Sequence, residues 1–131
     1  MSHGPASILL VEDDAAIRES VADCLAFEGY RVLAVGNGRE ALEALRRGPA
    51  PAVVVLDLLM PVLGGAQFLE AQRADPAIAG VPVILMTAAI PSSTAALPRA
   101  DAYLPKPFDL VDLLALVSRF AGPGTEEGAG P

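Results

Sequence analysis

Five side chains in this sequence have the types and the placement to act together: Glu12, Asp13, Asp57, Thr87 and Lys106. Each stands where an apolar, β-rich run stops. Ser7–Val11 leads into Glu12, Asp13 and Asp14. Ala52–Leu56 leads into Asp57, Val81–Met86 into Thr87, and Asp101–Leu104 into Pro105-Lys106-Pro107. Neighbouring carboxylates repel by roughly 1 to 4 kcal/mol per pair at surface-like dielectric, so a site that gathers these acids wants a cation. Oxygen ligands without His or Cys point to Mg²⁺. A carboxylate beside Mg²⁺, a hydroxyl and an ammonium has the parts of phosphoryl transfer. Asp57 would attack phosphorus, Lys106 and the cation would offset charge on the phosphoryl oxygens, and Thr87 would donate a hydrogen bond.

Whether these groups meet depends on the elements that carry them. The unbroken apolar run before Asp57 suits a central parallel strand covered on both faces. Asp14 reads as the N-cap of a helix to Glu28, with Ile17, Val21, Cys24, Leu25 and Phe27 inward and Gly29 as the stop. A β-rich segment, Tyr30–Val35, follows, and Asn37 caps a helix through Glu40, Leu42 and Leu45 to Arg47. Gly64-Gly65 precede a helix over Ala66–Ala74, with Phe68, Leu69 and Ala71 inward and Asp75-Pro76 beyond it. Ser92–Leu97, between Pro91 and Pro98, has room for little more than a turn and a half. A last helix spans Phe108–Phe120, with Leu110, Leu113, Leu114 and Val117 at helical spacing. Strands alternating with helices imply an α/β fold, a doubly wound five-stranded parallel sheet. Its right-handed crossovers bring the strand carboxyl ends to one edge, where ligands bind in such sheets.

The totals fit one domain. The chain has 131 residues and a net charge of -7, sixteen acids against nine Lys and Arg, which argues against nucleic acid or an anionic membrane as primary partner. The single Cys24 permits no internal disulfide; it lies on an apolar helix stripe and reads as a buried, inert thiol in a reducing cytoplasm. His3, the only histidine, is incidental. No apolar run approaches the roughly 20 residues of a membrane helix. Residues 1–6 read as a flexible end and 122–131 as a disordered tail, with no output domain expected within this chain.

Four segments together carry a resemblance: Ile8-Leu-Leu-Val-Glu12-Asp13-Asp14, Asp57-Leu-Leu-Met-Pro61 with Gly65, Met86-Thr87-Ala88, and Tyr103-Leu-Pro-Lys106-Pro107-Phe108. In that order and spacing the chain resembles a response-regulator receiver domain over about residues 6 to 121. The resemblance implies a flavodoxin-like sheet of order 2-1-3-4-5 and phosphorylation by a histidine kinase or a histidine phosphotransfer protein. It makes Asp57 the phosphoacceptor, Glu12 and Asp13 the metal-binding acids, and the Leu59 carbonyl a further metal ligand. Thr87 and Tyr103 match the family's switch pair, and Lys106-Pro107 its customary cis bond. Asp14 falls outside the acidic pair and keeps its role as a helix cap.

The chain departs from the family pattern in three places. The segment between Thr87 and Lys106 is shorter than usual and holds two prolines, so a short or irregular fourth helix is expected there, and dimerisation through that face is in question. Arg99 stands where Gly is common. Leu59, two residues past the acceptor, is apolar and should hinder water at an acyl phosphate, slowing self-dephosphorylation. The alternative to a phosphorylation switch is a receiver-like interaction module that works without phosphate, against which the intact acidic set argues. A phosphatase with an aspartyl nucleophile usually has a second acid at the position of Leu59. Flavin binding would need a hydroxyl-rich loop where three acids stand.

Overall fold

The computed structural model describes residues 6–60, 62–88 and 97–122. Five strands, β1 (Ser7–Val11), β2 (Arg31–Val35), β3 (Val53–Asp57), β4 (Val83–Thr87) and β5 (Ala102–Pro105), form one parallel sheet in the order β2-β1-β3-β4-β5. This is the expected doubly wound, flavodoxin-like topology. Among the described residues the helices are α1 (Ala15–Phe27), α2 (Gly38–Arg47), α3 (Gly65–Ala74) and α4 (Leu110–Ala121). The short helix expected over Ser92–Leu97 lies outside the described residues except for Leu97.

The apolar runs become central strands because both faces of the sheet are covered. Every residue of β3 and β4 is buried, as are Ile8–Val11 of β1. On one face Leu9, Val54, Leu56, Val83 and Leu85 pack against Leu42 and Leu45 of α2 and Phe68 and Leu69 of α3. On the other, Ile8, Leu10, Val53, Val55, Ile84 and Met86 meet Leu25 of α1 and Leu113 and Val117 of α4. Burying one such side chain stabilises the fold by about 1.5–3 kcal/mol, so these two layers dominate its stability.

The helix starts are set locally. Asp14 Oδ1 accepts from the Ile17 N–H at 3.0 Å, and Asn37 Oδ1 from the Glu40 N–H at 2.9 Å, both as expected of N-caps. Gly29, with φ of 100°, turns the chain out of α1. The inward face of α1 differs from the expected one. Leu25 is fully buried, with Val21 and Ala22 packed beside it, while Phe27 is 87 % exposed and Ile17 44 %. Phe27 follows Leu25 by two residues, about 200° around the helix, so it cannot share Leu25's face. Cys24 is half-buried rather than enclosed.

Two buried polar features tie the layers together. Gln72 on α3 is fully enclosed, and its Nε2 donates to the carbonyls of Ile78 and Val81, both at 2.9 Å. Tyr30 donates its hydroxyl to the Gly122 carbonyl at 2.6 Å, joining the start of β2 to the end of α4.

Candidate functional site

Parallel strands of matched register deliver their last residues to one edge. Asp57 ends β3 opposite Met86, Thr87 ends β4 opposite Pro105, and Glu12 follows β1 directly. Carboxylate oxygens of Glu12, Asp13 and Asp57 lie within 4.8 Å of one another. Glu12 and Asp57 are buried and Asp13 is exposed, so the cluster opens to solvent on one side. Lys106 Nζ stands 3.2 Å from Asp57 Oδ1 and 3.8 Å from Glu12 Oε1.

Backbone bonds hold these groups in place. The Leu58 N–H donates to the Met86 carbonyl at 3.0 Å, the Gly65 N–H to the Leu58 carbonyl at 2.8 Å, and the Lys106 N–H to the Thr87 carbonyl at 2.6 Å. At Gly65 a Cβ would lie 2.8 Å from Leu58 Cα and 2.9 Å from the Asp57 carbonyl oxygen, so only glycine lets α3 begin this close to the acid-bearing strand. The Lys106-Pro107 bond is cis, as the resemblance implied.

The charge balance is uneven. Glu12 Oε2 accepts from the Asp14 N–H at 3.1 Å, but Oε1 is buried without a hydrogen-bond partner, the one such side-chain atom among the described residues. Burial raises the Glu12 pKa above the usual carboxylate value and the Asp57 charge adds to the rise, partly countered by the Asp14 N–H and Lys106. A buried oxygen lacking a donor, beside two further carboxylates, fits a hard cation. An acidic set with no His or Cys fits Mg²⁺ among such ions.

The expected site residues do not all converge. Glu12, Asp13, Asp57 and Lys106 meet, and Thr87 is buried at the adjoining strand end. Leu59 lies in the β3–α3 loop and is 73 % exposed. Tyr103 packs its ring toward the α2/α3 side, and its hydroxyl accepts from the Ala100 N–H at 3.0 Å and donates to the Pro98 carbonyl at 2.9 Å. Beside the cluster, Glu12, Ile17, Ala88, Lys106, Pro107 and Phe108 line an open cleft of about 460 Å³.

Sequence reasoning missed Arg18, whose guanidinium donates to the backbone carbonyls of Glu12 at 2.8 Å and Asp13 at 3.4 Å. A signal was present: a cation in the first turn of a helix opposes the helix dipole, so its placement asks for a local reason.

A flavodoxin-like sheet with an acidic cluster, a hydroxyl and an ammonium at its carboxyl edge defines a class, the receivers of two-component signalling. The chain belongs to the response regulator receiver domain family, whose model matches residues 8–118. It is 39 % identical over 130 residues to the response regulator MprA of Mycolicibacterium vanbaalenii, covering 96 % of this chain and 55 % of that protein. The chain thus spans about half the length of the curated relatives it matches. Among solved structures it is similar to the chemotaxis response regulator CheY4 of Vibrio cholerae, with 30 % identity, a TM-score of 0.77, and coverage of 88 % of this chain and 98 % of that one. It is also similar to the receiver domain of the sensor histidine kinase PA1611 from Pseudomonas aeruginosa PAO1, solved with a magnesium ion coordinated in its active-site cleft. There the identity is 29 %, the TM-score 0.81, and the coverage 92 % and 99 %. No helix among the described residues is long and apolar enough to cross a membrane.

Proposed function

We propose that residues 7–121 form the receiver unit and act as a phosphoacceptor switch, with Asp57 as the acceptor. The observation that carries this reading is the buried Asp57 carboxylate, one of three converging acids, 3.2 Å from Lys106 Nζ. An Asp57 oxygen attacks the phosphorus of a phosphohistidine on a histidine kinase or a histidine phosphotransfer protein. The N–P bond breaks, an O–P bond forms, and the imidazole leaves with its electron pair, so an acyl phosphate results without oxidant or reductant. Lys106 offsets charge on the transferring group, and Thr87 donates a hydrogen bond to a phosphoryl oxygen. Glu12, Asp13, Asp57 and the Leu59 carbonyl would hold Mg²⁺, which supplies charge neutralisation at the phosphoryl oxygens. The likeness to the magnesium-bound receiver of PA1611 supports the same ion here.

The readout runs through Thr87 and Tyr103. Thr87 responds to the added charge at the strand end, and Tyr103 carries the change to the segment its hydroxyl holds, residues 98–100. Chemistry is confined to the domain's own phosphorylation and dephosphorylation. A downstream protein, not nucleic acid, reads the phosphorylated surface, and the setting is cytoplasmic.

The test is intact mass after incubation with acetyl phosphate and Mg²⁺, for the native chain and for Asp57→Asn. One phosphoryl adduct on the native chain and none on the variant is expected. A folded native chain that takes no adduct in the presence of Mg²⁺ sinks the reading and favours a phosphate-independent interaction module.

A further inference from the structure

Arg18 completes the first backbone hydrogen bond of α1, from its N–H to the Asp14 carbonyl at 2.8 Å. Its side chain turns back along the chain, and Nη1 reaches the carbonyl oxygens of Glu12 at 2.8 Å and Asp13 at 3.4 Å. None of the ion pairs among the described residues includes Arg18. Its charge is therefore directed at the backbone of the two acids and not at a carboxylate. Nη1 also lies beside Gly36, where a Cβ would come into contact with it at 3.4 Å.

Other restraints on this loop are few. Glu12 donates its N–H to the Val35 carbonyl at 3.1 Å, and Glu12 Oε2 accepts from the Asp14 N–H. Against them stands the mutual repulsion of three carboxylates within 4.8 Å, which pushes the exposed Asp13 outward. A charged donor on a carbonyl makes a stronger bond than a neutral one and is suited to resist that push.

We propose that Arg18 is a positioning residue of the acidic site. By gripping the Glu12 and Asp13 carbonyls it holds both carboxylates in convergence with Asp57, and so raises the affinity for Mg²⁺. The proposal rests on reading the cluster as a Mg²⁺ site. It also sets two effects of one residue against each other. As a nearby positive charge, Arg18 opposes a divalent cation and its removal should tighten binding; as a clamp, its removal should loosen binding. The clamp prevails, because outer-sphere partners of metal ligands commonly govern affinity by tenfold or more, whereas the repulsion between a half-buried guanidinium and the cation is weakened by the solvent that reaches both.

The experiment is calorimetric titration with MgCl₂ of the native chain, Arg18→Met, Arg18→Lys and Gly36→Val, each first shown to be folded by its urea midpoint. Arg18→Met should weaken Mg²⁺ binding about tenfold. Arg18→Lys, which keeps the charge and one donor, should recover part of that loss. Gly36→Val keeps the arginine but sets branched methyls beside Nη1, beyond a Cβ that would already touch it, and should also weaken binding. Unchanged or tighter binding in Arg18→Met, with the native chain binding Mg²⁺, overturns the role of Arg18 alone. If Arg18→Met does not fold, unchanged affinity in Gly36→Val overturns it equally. A native chain that binds no Mg²⁺ overturns the reading of the cluster itself.

Discussion

The two ends of the sheet treat their buried polar groups in opposite ways. At the amino-terminal end of β4, Gln72 is fully enclosed and spends both of its Nε2 hydrogens on the carbonyls of Ile78 and Val81. Nearby, Asp75 accepts from the Ala77 N–H and the Arg46 guanidinium, which together hold its pKa below the usual carboxylate value. At the carboxyl end, Glu12 is as deeply buried as Gln72 but leaves Oε1 without a donor, and its pKa is raised. A buried polar group that closes its own hydrogen bonds serves architecture. One left open among like charges lowers stability and is retained where a ligand completes it.

The largest expected effect lies at the satisfied end. Gln72→Leu removes the donors of two buried carbonyls and should cost about 2–4 kcal/mol in urea denaturation, with Mg²⁺ affinity unchanged. A loss no larger than that of a surface substitution would break the comparison there.

Glu12→Gln should do the reverse. Without divalent ions the variant should gain about 1 kcal/mol, since an incompletely paired buried charge is gone, and the rise in thermal midpoint expected of the native chain on adding Mg²⁺ should be lost. The pH dependence carries the same sign. With the Glu12 pKa raised on folding, the native state holds more protons than the unfolded chain between the ordinary carboxylate value and the raised one. In metal-free buffer the Glu12 contribution to stability therefore falls as pH rises through that window. Glu12→Gln should remove that contribution, and Mg²⁺ should oppose it in the native chain. A native chain whose pH dependence across that window matches that of Glu12→Gln would mean that Glu12 is not the strained group.

The smallest effect on stability is expected at Leu59, which is 73 % exposed. Leu59→Asn should leave the urea midpoint in place and shorten the lifetime of the acyl phosphate severalfold, by letting water approach. An unchanged half-life would remove the apolar shield from the account.

Much of the fold was legible because its signals are local. The uniform apolar runs before Glu12, Asp57 and Thr87, the caps Asp14 and Asn37 and the stop at Gly29 each express a preference of a few neighbouring residues. The strand-end rule alone brings Glu12, Asp13, Asp57 and Lys106 together, as the structure does. What escaped depended on how a helix docks against the segments beside it or on angles around a helix. Phe27 passes for an inward residue on apolar content alone, which does not say which side of α1 meets the sheet. Nothing in the sequence marks Gln72 as buried, because its partners, in the turn before β4, enclose it only after α3 docks.

By itself the sequence determined the order of elements, the parallel sheet and the identity of the acids at its edge, since burial of continuous apolar strands leaves no other place for them. Only the tertiary structure decided how those acids are held. Glu12 has an oxygen with no donor, Lys106 stands between two carboxylates and Arg18 grips the acid-bearing loop from behind. Hydrogen bonds act over about 3 Å, and separations that fine are set by the packing of helices and loops from several parts of the chain, not by the spacing of residues along it.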